Sequence, residues 1–342
     1  MLSPAAEDRN FMRAAIAEAR KGVGHTSPNP AVGAVIVKNG RILARGYHHA
    51  AGRPHAEIEA IGALKSPRQA RGATIYVTLE PCSTHGRTPP CTSAILDHGF
   101  TRVVFGATDP NPAHAGRAER ILRDAGLDVT RGVLASECNA LNAAWNHWIV
   151  TGRPYVIAKC GMSLDGRIAS HPEARWITSE ASRAHAMRVR AQVDAILVGG
   201  GTLRTDDPQL TVRGIPGARQ PWRIVWSQTG DLPAGSRLFT DERRDRTLTF
   251  VGQSLAETFR ALGQMEITSV LLEGGGHTLG MAFDERLVNH AMFYVAPQIL
   301  GGPVAATGGL GISDSARAPQ LKAPRYERIS HDIFICGDVD YR

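Results

Sequence analysis

Three residues far apart in the chain, His55, Cys82 and Cys91, constrain its fold more than any other feature. One imidazole and two thiolates supply three ligands to a zinc ion, and a catalytic zinc keeps its fourth position for water. Pro54 stands where a helix begins, so His55–Leu64 is predicted to be helical. Thr74–Leu79 alternates β-branched and aromatic residues and predicts a strand. Pro81-Cys82 follows that strand, and Cys91–Asp97 predicts a helix. The fold must therefore bring a strand end and two helix starts to one point. Glu57 lies in the first helical turn, near the metal but free of it. A closed structural site is the alternative, and it needs a fourth ligand, for which His85 is available.

At 342 residues the chain is long enough for two domains. Hydrophobic content of 43% and charged content of 21% are those of a globular protein. No apolar run reaches the roughly 18–20 residues that span a bilayer. Met1–Asn10 mixes acid, base and proline and does not read as a secretory signal. A cytoplasmic location is expected, and five irregularly spaced cysteines argue against a disulfide framework. The net charge of +7 suits phosphorylated small molecules or nucleic acid. The densest basic stretch, Asp241–Arg246, interleaves acids with bases.

Glu7–Arg20 predicts an amphipathic helix that Gly22 and Gly24 end. Ala31–Val37 and Arg41–Tyr47 flank Asn39-Gly40, a two-residue hairpin signal. Strand Arg102–Gly106 and helices Gly116–Asp124 and Ser136–Val150 complete the first alternation, and a boundary falls at Thr151–Pro154. Residues 1–150 and 151–342 are thus separate domains. The second has predicted strands at Tyr155–Ala158, Ala195–Val198, Arg223–Trp226, Thr247–Val251 and Ser269–Leu272, closed by Ala291–Ala296 and Tyr326–Cys336. Predicted helices cover Ser182–Gln192, Leu255–Leu262 and His277–Glu285. Such alternation specifies an α/β class.

His55-x-Glu57 followed by Pro81-Cys82 resembles the zinc nucleobase deaminases, in which the glutamate shuttles protons. Eight residues, Ser83–Pro90, separate the two cysteines instead of two. That length and the ending Gly86-Arg87-Thr88-Pro89-Pro90-Cys91 resemble the riboflavin-pathway pyrimidine deaminases. The resemblance implies that Asn29, in Pro28-Asn29-Pro30-Ala31-Val32-Gly33, faces the pyrimidine and that His48 contacts substrate. Read from the residues alone, Asn29 is a rigid turn residue and His48 a strand-end histidine. The chain departs from the family pattern in one place. Thr84 stands where a histidine is usual, and His85 follows it.

The second half resembles the reductase of the same pathway, similar in fold to dihydrofolate reductase. The residues that carry this are Lys159–Gly166, Trp176–Ser179, Arg190-Ala191, Gly201-Thr202, Asp206–Arg213 and Glu273–Leu279. Together the halves resemble the bifunctional riboflavin-biosynthesis deaminase–reductase family over nearly the whole chain. This implies a cytidine-deaminase-like layered domain followed by a dihydrofolate-reductase-like domain, one zinc ion and NADPH. Cofactor contacts map to Gly161, Trp176, Thr202, Asp206, Ser227, Gly275, Gly276, His277, Thr278, Leu279, Gly280 and Met281. The Trp226-Ser227 region is one residue short of the pattern. Substrate contacts map to Ala174, Arg190, Leu210, Arg213 and Glu273, with the two arginines expected on the phosphate. Lys159 and Glu273 are the ionisable groups near the hydride acceptor, and a plain salt bridge between them is the alternative. Gly274–Gly276, between a strand and a helix, suits a pyrophosphate, but the spacing is not the Rossmann fingerprint; Gly199–Thr202, after another strand, reads as the other loop where backbone can approach cofactor.

The expected substrate is a phosphorylated pyrimidine, deaminated and then reduced at its ribosyl group, on a homo-oligomer with no nucleic acid or membrane partner. Two rivals remain at this point: a tRNA-editing deaminase with a C-terminal binding extension, and a zinc-stabilised nucleotide-binding module without turnover.

Overall fold

Strand alternation sorts the first sheet's side chains into two cores, one on each face. The computed structural model describes residues 3–84, 89–112, 114–168 and 176–341. The chain divides into two units, Met1–Thr151 and Gly152–Arg342. In the first unit the elements run α1 (Pro4–Ala19), β1 (Gly33–Lys38), β2 (Arg41–Tyr47), α2 (Ala56–Gly62), β3 (Thr74–Leu79) and α3 (Cys91–Asp97). They continue with β4 (Arg102–Ala107), α4 (Arg117–Asp124), β5 (Asp128–Arg131), α5 (Ala135–Leu141) and α6 (Ala143–Thr151). The sheet order is β2-β1-β3-β4-β5. β1 is antiparallel to β2 and β3, whereas β3, β4 and β5 are parallel.

Ala34, Ile36, Ile75, Val77, Val103 and Phe105 point to the face covered by α2, α3 and α4. Val35, Val37, Tyr76 and Val104 point to the face covered by α1 and α5. The period of two along each strand produces this three-layer arrangement. Asn39 and Gly40 both take positive φ, 51° and 69°, as a type I′ hairpin turn requires. Gly46 on β2 lets α2 approach. A Cβ there would overlap Ala60 N and stand 2.5 Å from Ala56 O.

The second unit contains β6 (Tyr155–Ser163), α7 (Glu180–Arg190), β7 (Ala195–Gly199), α8 (Gly200–Asp206), β8 (Trp222–Ser227), α9 (Arg237–Thr240) and β9 (Thr247–Val251). It ends with α10 (Leu255–Gln264), β10 (Ser269–Leu272), α11 (Gly276–Asp284), β11 (His290–Ala296), β12 (Gln320–Ile329) and β13 (Asp332–Asp340). The sheet order is β12-β13-β11-β6-β10-β7-β8-β9. All neighbours from β11 to β9 are parallel, and β13 and β12 add on antiparallel. Because β6, β10 and β7 are adjacent and parallel, the loops at their carboxyl ends share one edge of the sheet, where open α/β sheets bind ligands.

Four expectations are corrected. The predicted helix Ser136–Val150 is two helices broken at Asn142, whose amide bonds the backbone of Ala31 instead, with Ala31 N to Oδ1 at 2.8 Å and Nδ2 to Ala31 O at 2.9 Å. The predicted closing strand Tyr326–Cys336 spans a hairpin, β12–β13, turning at Ser330-His331. Ser330 takes φ 58° where no glycine or asparagine marks the turn. Gly199–Thr202, read as a loop, begins helix α8. Strand β5 carried no signal because Val129 is its one buried residue.

Candidate functional site

His55 is the N-cap residue of α2, with extended backbone and no capping hydrogen bond from its side chain. Its ring therefore points away from the helix, and Nδ1 lies 3.5 Å from Cys82 Sγ and 3.4 Å from Cys91 Sγ. Cys82 follows β3, and Cys91 is the first residue of α3. The three ligand atoms all fall within 4.8 Å of one another. Tetrahedral zinc with ordinary Zn–N and Zn–S bonds separates a nitrogen and a sulfur ligand by about 3.6 Å, so the pocket fits the ion. One nitrogen and two sulfurs are also a donor set that zinc favours.

The site's electrostatics follow from crowding. Cys82 is drawn down to about 4 by the hydrogen bond from the Cys91 thiol, helped by His55 and by the Cys91 N–H 3.2 Å from its sulfur. The Cys91 thiol is pushed up by the same neighbour. A zinc ion held here would ionise both. Glu57 is 3% exposed. Burial, reinforced by Cys82, raises its carboxyl to about 7. It stands beside Cys91 but is not one of the three clustered ligands. His85, the alternative fourth ligand, lies outside the described residues.

Asn29 and His48 are joined. Asn29 Nδ2 is 3.1 Å from His48 Nε2, and His48 Nδ1 is 2.9 Å from Pro54 O. The His48 ring packs edge-on to that of His55, with centroids 5.4 Å apart. At 2% exposure His48 is buried, and burial lowers its pKa.

Two anchors of this site escaped the sequence reading. Glu80, buried just past β3, accepts from Asp109 N, Gly116 N and Ala118 N at 3.0–3.3 Å and fixes the loop that enters α4. That loop carries His114, whose Nδ1 is 3.3 Å from Thr84 Oγ1. The only sequence signal for Glu80 is an acid at the end of an apolar strand, and nothing in the sequence pairs Thr84 with His114. Asn142 is a third omission, legible only as an asparagine inside a helical pattern.

In the second unit, Lys159 on β6, Glu273 just past β10 and Arg190 at the end of α7 form one cluster. Arg190 bonds both Glu273 oxygens, and its Nη1 donates to Thr211 O at 3.0 Å. Lys159 Nζ is 3.5 Å from Glu273 Oε2. Burial alone would push the Glu273 carboxyl up, but Arg190 and Lys159 overcome it and hold it at about 2.

A second cluster joins two glycine-rich loops. Thr202 Oγ1 accepts from Gly275 N at 2.9 Å. Gly275 caps α11, and Gly276–Met281 form that helix's first turns. A Cβ on Gly276 would collide with Ala305 O, so the backbone strand from Ala305 onward lies against this helix start. Gly161 lies on β6 beside Thr178, and Trp176 is 61% exposed under the Arg183 guanidinium. Ser227 ends β8, where its Oγ accepts from Gly230 N, and Asp206 ends α8. Leu210 has its side chain in the core at φ 48°. Arg213 is exposed, with Nη1 near Gln209 Oε1 and Thr211 Oγ1. Ala174 lies outside the described residues.

Comparison with known proteins places both halves. Residues 5–107 match the cytidine and deoxycytidylate deaminase zinc-binding region, and residues 154–335 match the RibD C-terminal domain. The riboflavin biosynthesis protein RibD of Actinobacillus pleuropneumoniae is 42% identical over 96% of this chain and 94% of its own. The Escherichia coli protein of that name is 38% identical over 96% and 98%. Among solved structures, Acinetobacter baumannii RibD superposes with a TM-score of 0.90 at 33% identity, covering 98% of this chain and 99% of that one. A Thermotoga maritima protein described as a diaminohydroxyphosphoribosylaminopyrimidine deaminase/5-amino-6-(5-phosphoribosylamino)uracil reductase gives 0.89 at 33%, with coverage of 98% and 99%. A C-terminal half that matches this reductase removes the reading of that half as a nucleic-acid-binding extension. Its zinc-binding deaminase half, its dihydrofolate-reductase-like half and its full-length relatives agree, and the chain belongs to the RibD family of bifunctional riboflavin-biosynthesis deaminase–reductases.

Proposed function

We propose that the two activities divide at Thr151–Gly152 and act in sequence on one substrate. The first unit hydrolyses the amine from the diaminopyrimidinone ribosyl phosphate, and the second reduces the ribosyl group of the product to ribityl. The observation that carries the first step is the convergence of His55, Cys82 and Cys91 with buried Glu57 beside them. These three ligands would hold the zinc, which supplies a water acidified from 15.7 towards about 7. Glu57 would accept the first proton of that water and deliver it to the ring nitrogen, and would then carry the second, from the hydroxyl added to the ring carbon, to the amine that leaves as ammonia. Burial raises the proton affinity of this carboxyl, which suits a group that must both accept and donate. Asn29 meets the pyrimidine edge.

In the second unit NADPH supplies the hydride. The N–H groups at the start of α11, with Thr202 bonded to Gly275, would hold its pyrophosphate. Gly161, Trp176, Asp206 and Ser227 complete the cofactor contacts. Arg190 and Lys159 hold the Glu273 carboxyl low, which supports Lys159 as the group that stabilises the opened ribose. Arg213, exposed and bonded to Gln209 and Thr211, is the arginine assigned to the substrate phosphate in this reading. Arg190 positions Glu273.

The test is product analysis by mass spectrometry after incubation with the diaminopyrimidinone phosphate, with and without NADPH. Without NADPH the deaminated ribosyl compound accumulates, and with it the ribityl compound forms. Glu57→Gln should keep zinc and block the first step while reduction of pre-deaminated substrate continues. Loss of zinc in that variant would make Glu57 a ligand and refute its role as shuttle.

No helix among the described residues is long and apolar enough to cross a membrane. All five cysteines are unpaired, which supports a reducing, cytoplasmic setting. Exposed Tyr326 and Ile333 on the outermost hairpin support a homo-oligomer, which sedimentation velocity checks.

A further inference from the structure

We infer that His48 is a positioning residue that fixes which edge of the Asn29 amide meets the substrate, and so makes this deaminase site select a ring presenting an N–H donor. The inference rests on the reading of Asn29 as substrate-facing. It begins at Pro54, whose carbonyl can only accept. His48 Nδ1, 2.9 Å from that oxygen, must therefore carry the ring proton. In a neutral imidazole the other nitrogen is then a bare acceptor. Nε2 faces the Asn29 side chain at 3.1 Å, so the Asn29 amide turns its NH2 group inward to donate.

Both ring nitrogens of His48 are now engaged, and the ring is 2% exposed, so no donor or acceptor of His48 remains for a ligand. Asn29 is half-buried, and its backbone N–H is taken by Thr26 O at 2.9 Å. Among the described residues no group donates to Asn29 Oδ1. The amide therefore offers an acceptor to whatever occupies the pocket. A ring N–H or exocyclic amine satisfies it, whereas a ring with only an acceptor at that edge leaves two oxygens or lone pairs facing each other, and sites built for one polarity reject the other strongly. The same ring packs on His55, so the amide orientation is referenced to the metal-binding histidine itself.

The experiment is a double-mutant cycle on zinc-loaded full-length protein, reading deaminase kcat/KM, zinc content and reduction of pre-deaminated substrate. Asn29→Ala and His48→Ala should each lose about 10- to 100-fold in deaminase kcat/KM with zinc and reduction unchanged. In the Asn29→Ala background, His48→Ala should cost less than about threefold more, because its effect passes through Asn29. His48→Gln, whose amide oxygen can accept from Asn29, should recover most of the loss. Full additivity overturns the inference, since His48 would then act on substrate or on the fold directly. An Asn29→Ala protein with unchanged deaminase activity instead removes the underlying reading of Asn29. A long-range proton–nitrogen NMR correlation on the wild-type protein, which needs no variant to fold, should show His48 protonated at Nδ1 and bare at Nε2. The opposite tautomer overturns the inference.

Discussion

Arg190 holds Glu273 through two parallel hydrogen bonds, Nε to Oε1 at 2.7 Å and Nη2 to Oε2 at 2.8 Å. The side chains are 12% and 9% exposed. This pairing changes what Arg190 can do for a ligand, because the fork that would grip a phosphate already grips a carboxylate.

The two arginines expected on the phosphate should accordingly separate. Arg190→Ala leaves the buried Glu273 carboxylate to Lys159 alone, 3.5 Å away, and should destabilise the protein by up to about 3–5 kcal/mol. Its reductase loss should be equal for the phosphorylated substrate and the dephosphorylated nucleoside. Arg213→Ala should lose about 10- to 150-fold in reductase kcat/KM on the phosphorylated substrate and little on the nucleoside. Steady-state kinetics on both substrates, with thermal melts, check this.

Glu273 also sets an acid limit. Its carboxyl is held at about 2 against an ordinary 4.5. A depressed folded-state value stabilises fully above 4.5 and loses that contribution as pH falls through 2. The contribution is about 3 kcal/mol. The melting-temperature gap between wild type and Glu273→Gln should be constant near pH 7 and narrow steadily from about pH 5 to about pH 2. A gap independent of pH would show that Glu273 is not held ionised.

Metal retention should follow the thiolates. Cys82→Ser or Cys91→Ser should release zinc and deaminase activity together, while reduction of pre-deaminated substrate persists. Metal analysis after dialysis reads this. His85→Ala should keep its zinc, and loss would mean a closed four-ligand site.

Close backbone approach at Gly46 seats the helix that carries His55 and Glu57. Gly46→Val should cost about 1–3 kcal/mol or more by overpacking and lower zinc content. Gly62→Ala is the contrast. A Cβ there meets nothing within 4 Å, and the change should stabilise by up to about 1 kcal/mol. Melts and zinc content of the two variants check the pair.

Much of this protein is written in local sequence. Alternation marked Thr74–Leu79 to the residue, Cys91–Asp97 was legible as a helix, and Asn39-Gly40 marked its hairpin. The zinc ligands were legible because metal chemistry restricts residue type and order. Tertiary structure alone decided what depends on partners distant in sequence. Asn142 breaks a helix because Ala31, 111 residues away, offers its backbone. Ser330 turns a hairpin because β12 and β13 pair on either side of it. Arg190 faces Glu273, 83 residues on, and so is engaged before any phosphate arrives. His48 carried a family signal as a substrate contact, and the fold buries its ring between the Pro54 carbonyl and the Asn29 amide. A sequence specifies which groups a residue brings, and only the fold specifies which of them are already occupied.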